Sequence, residues 1–200
     1  MNISKAPRLC NSPKIEWHVL NMIQKNMQKV VFLIACLLLV TPMSAQADWK
    51  TRYPDLRVVG TGVLKVFFMD IYSLTLHSKE RDYSVSDHFA LEFDYKKSVS
   101  KKTIVDASMD ELSKAPNVSS AEINAWKQIL EKGISDMQAG EKASVVFSNS
   151  GDVEFWLENR EPISFQDLKF AKNFAAIWLG AQTSHPKLRL ALLGKNSQNN

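Results

Sequence analysis

Along residues 56–194 the spacing of apolar residues changes period three times, and that order limits the folds open to the chain. From Leu56 to Ser78 the residues are β-branched and aromatic, with Val66, Phe68, Tyr72, Leu74 and Leu76 on one parity, interrupted by Asp70. Two long strands meeting near Val63 to Lys65 are expected, with Gly60 and Gly62 where the backbone bends or is closely approached. In FALEFDYK, Phe89, Leu91, Phe93 and Tyr95 point one way while Ala90, Glu92 and Asp94 point the other. The period then becomes helical. Ser100 caps Ile104, Val105, Met109 and Leu112, a helix ending near Pro116; Ser119 and Glu122 form a capping box ahead of Ile123, Trp126, Leu130, Ile134 and Met137.

KASVVFS and VEFWLEN flank Asn149-Ser150-Gly151-Asp152, which reads as a β-hairpin. Ser164 with Asp167 opens a further helix carrying Leu168, Ala171, Phe174, Ala175, Ile177 and Trp178 and stopping at Gly180. Ser184 caps a last short helix, with Pro186 in its first turn and Gly194 past its end. Strands clustered apart from helices specify an α+β fold, a large antiparallel sheet covered by helices. The final apolar stretch, FAAIWLGAQTSHPKLRLALLG, is its roof.

The N-terminus reads separately. Lys25 and Lys29, then KVVFLIACLLLV, then small residues to Ala45 and Ala47, follow the order of a secretory signal peptide, with cleavage expected between Ala47 and Asp48 and Met22 or Met27 as alternative starts. The eleven apolar residues from Val30 to Val40 fall short of the ~20 that a spanning helix needs, so no permanent membrane span is expected. Lipidation at Cys36 is a minor alternative, because the apolar run continues beyond it. The protein is therefore expected to be exported, periplasmic or extracellular, as a single domain over residues 48–200.

Residues 1–47 hold five of the 25 Lys/Arg and one of the 21 Asp/Glu, so the remaining 153 residues carry 20 of each and no net charge. The pI near 9.0 belongs mostly to the leader, and nothing argues for nucleic acid. Both cysteines, Cys10 and Cys36, also lie in the leader, which leaves the domain to an ordinary core without disulfides.

Chemical motifs are few. Gly60-Thr61-Gly62 is followed by a strand, so it lacks the helix N-terminus that a phosphate loop needs and reads as structural. Ser98-Val99-Ser100-Lys101 matches Ser-x-x-Lys without the elements that accompany it in acyltransferases. His77, His88 and His185 have no second ligand at metal spacing, and each reads as solvated or capping. Asp110-Glu111 reads as a solvated helix face. Trp156 shares parity with Glu154 and Glu158; sealing a sheet edge and marking a contact surface both remain open.

Four segments, VVGTGVLKVFFMDIYSLTLHS, LEFDYKKSVSKKTIVDASMDEL, GEKASVVFSNSGDVEFWLENREPISF and FAKNFAAIWLGAQTSHPKLRLALLG, resemble the bacterial chalcone isomerase-like proteins. The resemblance covers about residues 49–194. It implies an open-faced β-sandwich with a cavity between sheet and helices, used in the family for flavonoid precursors or fatty acids. Plant isomerases carry an arginine, a threonine, a tyrosine and an asparagine that polarise the ketone and stabilise the developing anion. By alignment these positions are Leu64, Phe67, Ser100 and Ala107 here, and leucine and phenylalanine donate no hydrogen bond to an oxyanion.

The resemblance thus implies a non-catalytic exported binder of an apolar or amphipathic molecule such as a fatty acid, with Leu64, Phe67, Tyr95, Trp126 and Trp178 as the expected ligand-binding residues and no catalytic or metal site. The alternatives are an isomerase or lyase with a relocated site, a haem-dependent activity using one of the three histidines, and an interaction module with no open cavity. No cofactor, protein partner or oligomeric state is specified by the sequence.

Overall fold

The computed structural model describes residues 48–158 and 160–195. The described residues belong to one compact unit spanning 46–200. The expected signal peptide, with Cys36 and the two alternative starts, lies outside the described residues.

Six strands form one sheet in sequence order, every neighbouring pair antiparallel: β1 (Arg57–Val66), β2 (Met69–Ser78), β3 (His88–Tyr95), β4 (Lys142–Ser148), β5 (Asp152–Leu157) and β6 (Ile163–Gln166). Among the described residues five α-helices accompany it: α1 (Trp49–Arg52), α2 (Lys101–Leu112), α3 (Ser120–Gly133), α4 (Leu168–Leu179) and α5 (Pro186–Leu192). This is the α+β arrangement that the changes of period specify.

Strand alternation divides the residues between two faces. Tyr72, Leu74 and Leu76 of β2 pair with Tyr95, Phe93 and Leu91 of β3, and with Val145 and Phe147 of β4 and Val153 and Phe155 of β5 they form the floor of the main core. Its roof is α4, which buries Phe170, Phe174, Ile177 and Trp178. Each of these large apolar side chains stabilises the fold by roughly 1.5–3 kcal/mol through area removed from water. The helix begins at Asp167, whose carboxylate accepts from the Phe170 N–H at 2.9 Å, and stops at Gly180.

Gly60 and Gly62 face α5. A Cβ on Gly60 would lie 2.2 Å from the Ala191 carbonyl oxygen, and one on Gly62 would lie 2.6 Å from Leu188 Cδ1. Their role is close approach: β1 presents a side-chain-free stripe on which the last helix sits.

The opposite face has its own small core. Trp49 and Leu56 from the segment before β1 pack on Ala90, Val146 and Trp156. Trp156 therefore neither seals an edge nor lies open to a partner. It is buried under this N-terminal strap and donates its indole N–H to Glu154 Oε2 at 3.0 Å.

Several expectations are corrected. The β1–β2 turn falls at Phe67-Phe68, not near Val63 to Lys65. Ile163–Gln166 is a sixth strand, so Ser164 lies in the sheet and Asp167 alone caps α4. Helix α2 ends at Leu112, and α3 ends at Gly133, which leaves Met137 in a bridge to Val99. Ser184 does not cap α5; its hydroxyl donates to Glu111 while His185 occupies the cap position without a side-chain bond. His77 is not solvated: it is buried against Trp49, ring centroids 4.9 Å apart, with Nε2 2.9 Å from Glu92 Oε2.

Candidate functional site

A cavity of about 340 Å³ lies between the helix-facing side of the sheet and helices α2, α3 and α4. Its floor is made by Leu64 of β1, Ile71 and Tyr72 of β2, Phe93 and Tyr95 of β3, Val145 of β4 and Phe155 of β5. Ile104 and Ala107 of α2 form one wall, Ile134 and Met137 a second, and Phe174, Ile177 and Trp178 of α4 the roof. Short side chains, Ala107, Ser108 and Ala143, are among those that line it and leave the space open.

Two phenols are the main polar groups inside. The Tyr72 hydroxyl accepts a hydrogen bond from Trp178 Nε1 at 2.9 Å. Because that bond uses an oxygen lone pair, the Tyr72 O–H hydrogen is still available to donate. Tyr95 lies beside it, ring centroids 5.6 Å apart. Burial pushes the Tyr95 phenol up to about 12. Burial, together with the nearby Tyr95, raises Tyr72 further, outweighing the Trp178 bond. Both are neutral donors across the physiological range.

At the rim stand Glu111 and His185. Burial raises the Glu111 carboxyl, but bonds from Lys114 Nζ at 2.7 Å and Ser184 Oγ at 2.9 Å outweigh it and hold the group below its ordinary value. No Lys or Arg is among the residues lining the cavity. The site is a mainly apolar chamber with two neutral phenol donors, Glu111 and His185, and four further Ser/Thr residues, Thr103, Ser108, Ser135 and Ser144, in its lining.

Of the five residues expected to bind ligand, the structure brings together Leu64, Tyr95 and Trp178. Phe67 is not with them: it is in the β1–β2 turn, exposed to solvent. The residue opposite Leu64 on the next strand is Tyr72, which a sequence alignment misses because the turn contains no ordinary turn residue. Trp126 is buried outside the cavity lining, where it packs on Phe170 and donates its indole N–H to Asp167 Oδ2 at 3.1 Å. Ala107 does line the cavity, whereas the Ser100 hydroxyl is occupied as the cap of α2, 3.2 Å from the Thr103 N–H.

The three histidines are apart. His77 lies under the N-terminal strap, His88 packs on Tyr53 at 4.9 Å, and His185 alone of the three lines the cavity. Among the described residues no group of three or more His, Cys, Asp or Glu is placed to hold a metal ion. On the strap side, Glu92 receives His77 and Lys50, and Glu154 receives Trp156 and lies 3.3 Å from Arg52. Lys50 and Arg52 are the strap's members of these pairs, and through them the strap is fastened to the sheet.

The fold is similar to that in the crystal structure of an Arabidopsis thaliana fatty-acid binding protein. The match has a TM-score of 0.53 and 8% sequence identity, and covers 70% of this chain and 87% of that one. At that identity the likeness concerns the fold. A comparison with curated proteins finds no significant sequence match. The model of the chalcone isomerase-like family matches residues 42–194. Sequence match, six-stranded antiparallel sheet and helical cover agree, and the chain belongs to the chalcone isomerase-like family.

Proposed function

We propose that the protein binds an apolar or amphipathic small molecule such as a fatty acid in the cavity between sheet and helices, and that it holds this molecule without transforming it. The observation that carries this reading is the chamber of about 340 Å³ itself: apolar walls enclosing the hydroxyls of Tyr72 and Tyr95. That volume lies within the ~300–1,000 Å³ usual for small-molecule sites, which combine apolar walls with a few placed polar groups. The hydroxyls would receive a carboxyl or carbonyl end, and the space under Phe174 and Ile177 an acyl chain.

Holding rather than turnover is supported by Leu64 and Ala107, which face the cavity and offer no hydrogen bond to a developing oxyanion. The Arabidopsis protein of similar fold, a fatty-acid binding protein, agrees in ligand class. We further propose export to the periplasm or the extracellular space, on the strength of the leader's basic, apolar and small-residue order.

Native mass spectrometry of the 46–200 unit purified from cells tests the reading. A retained adduct of lipid mass, lost on substitution of Tyr95 and Trp178, is expected. An unadducted protein whose melting temperature no fatty acid raises would contradict it.

A further inference from the structure

The connection between β1 and β2 is two residues long, Phe67-Phe68, closing the pair Val66 and Met69. Both residues have positive φ, 47° and 68°. A hairpin turn of this kind is served by Asn-Gly, because a side chain beyond Cβ is strained in the left-handed region. The chain instead places two phenylalanines there, 87% and 101% exposed, between the exposed Val66 and Met69. Among the described residues nothing packs on them to offset the strain. A tip that loses stability in this way has its compensation outside the molecule.

We infer that this hairpin tip inserts into the interfacial layer of an anionic lipid membrane. Its size argues against a protein partner: two phenylalanines offer roughly 400 Å², about half of the ~800 Å² per side that a stable protein interface buries. Short apolar protrusions flanked by cations are sufficient for a lipid interface.

The cations are present. Lys65 lies in the hairpin, and the Lys96 N–H bonds the carbonyl of Ile71, two residues beyond Met69, at 2.8 Å, which puts Lys96 beside the turn end of β2 with Lys97 next in the chain. Asp70 and Asp94 are engaged by Lys65 at 2.6 Å and Lys96 at 2.7 Å; Lys97 makes no ion pair among the described residues, leaving positive charge next to the apolar tip. Val66 and Ile71 also line the cavity, so the tip and the chamber share an edge through which an apolar ligand could pass without crossing water. Insertion itself stands on the hairpin and does not depend on what the cavity holds.

Flotation of the 46–200 unit, which carries every described residue of the core, with vesicles of equimolar phosphatidylcholine and phosphatidylglycerol tests this. The native unit should float with the vesicles. The variant Phe67→Asn/Phe68→Gly should melt at a higher temperature, since it relieves the turn, and yet bind roughly tenfold or more weakly. Lys97→Glu should weaken flotation with the fold intact. A native unit that stays with the soluble fraction at low salt, or an Asn-Gly variant that floats as well as the native one, overturns the inference. A native dimer abolished by the same variant, without flotation, assigns the tip to self-association and overturns it equally.

Discussion

The Trp178 indole N–H points at the Tyr72 hydroxyl across 2.9 Å, joining the roof helix to the floor of the sheet at the wall of the cavity. Trp178 is also packed edge-on to Phe93 and Phe174, at 5.2 and 5.3 Å between centroids. It is therefore both a core residue and the group that aims the Tyr72 hydroxyl.

Two substitutions separate these roles. Trp178→Ala removes a buried aromatic and should cost about 3–5 kcal/mol in urea unfolding. Trp178→Phe keeps most of the packing and loses the hydrogen bond, for about 1 kcal/mol. A loss under about 1 kcal/mol for the alanine variant would mean that α4 does not roof the core.

The glycines of β1 give a sharper test of how α5 sits. At Gly60 a methyl group meets backbone oxygens of Ala191 and Leu192 at 2.2 and 2.6 Å, which only a shift of the helix can relieve. At Gly62 the nearest atom is Leu188 Cδ1 at 2.6 Å, the end of a flexible side chain that can turn away, and Ala191 Cβ at 2.9 Å needs only a small shift. Gly60→Ala should cost about 3 kcal/mol and Gly62→Ala about 1 kcal/mol, measured by urea unfolding. Equal costs would contradict the close approach of α5 at Gly60.

Acid should loosen the strap on the other face. The His77 bond, with Lys50 beside it, outweighs burial and lowers the Glu92 carboxyl from 4.5 to about 2. A group depressed in the folded state contributes stability that is fully present above its unfolded value and is lost as pH falls through its folded value. Stability should thus decline between about pH 5 and about pH 2, by on the order of 1–2 kcal/mol once solvent screening at the half-exposed Lys50 is allowed for. Glu92→Gln should flatten that decline. An unchanged pH profile in the variant would remove Glu92 as its source.

How much of this was legible in the sequence follows from where each signal resides. FALEFDYK and the two capping sites, Ser100 and Ser119, carry their structure locally, and each is found as read. The strap was not legible: Trp49 and Leu56 have no period, and only the sheet beneath gives them a partner in Trp156. The turn at Phe67-Phe68 escaped because it contradicts turn chemistry, while at Gly60 and Gly62 the close approach that was one of the two expectations is found, made by α5. Of the site, Tyr95 and Trp178 were readable as inward-facing residues of the correct elements, whereas Leu64 came from the family alignment, its own stretch having been read as the turn. Tyr72 was missed as their partner because cross-strand register depends on that same turn. Trp126 was correctly inward, but inward has two destinations here, the packed core and the cavity, and helical periodicity does not separate them.

The most direct test of the central claim is a calorimetric titration of the 46–200 unit with a long-chain fatty acid, repeated with Tyr95→Phe and Ala107→Trp. Binding of one molecule per chain is predicted, weakened roughly fivefold to tenfold by loss of the Tyr95 hydroxyl and abolished when Ala107→Trp fills the wall of the cavity. Saturable binding that neither variant alters, or no binding at all, would contradict the account.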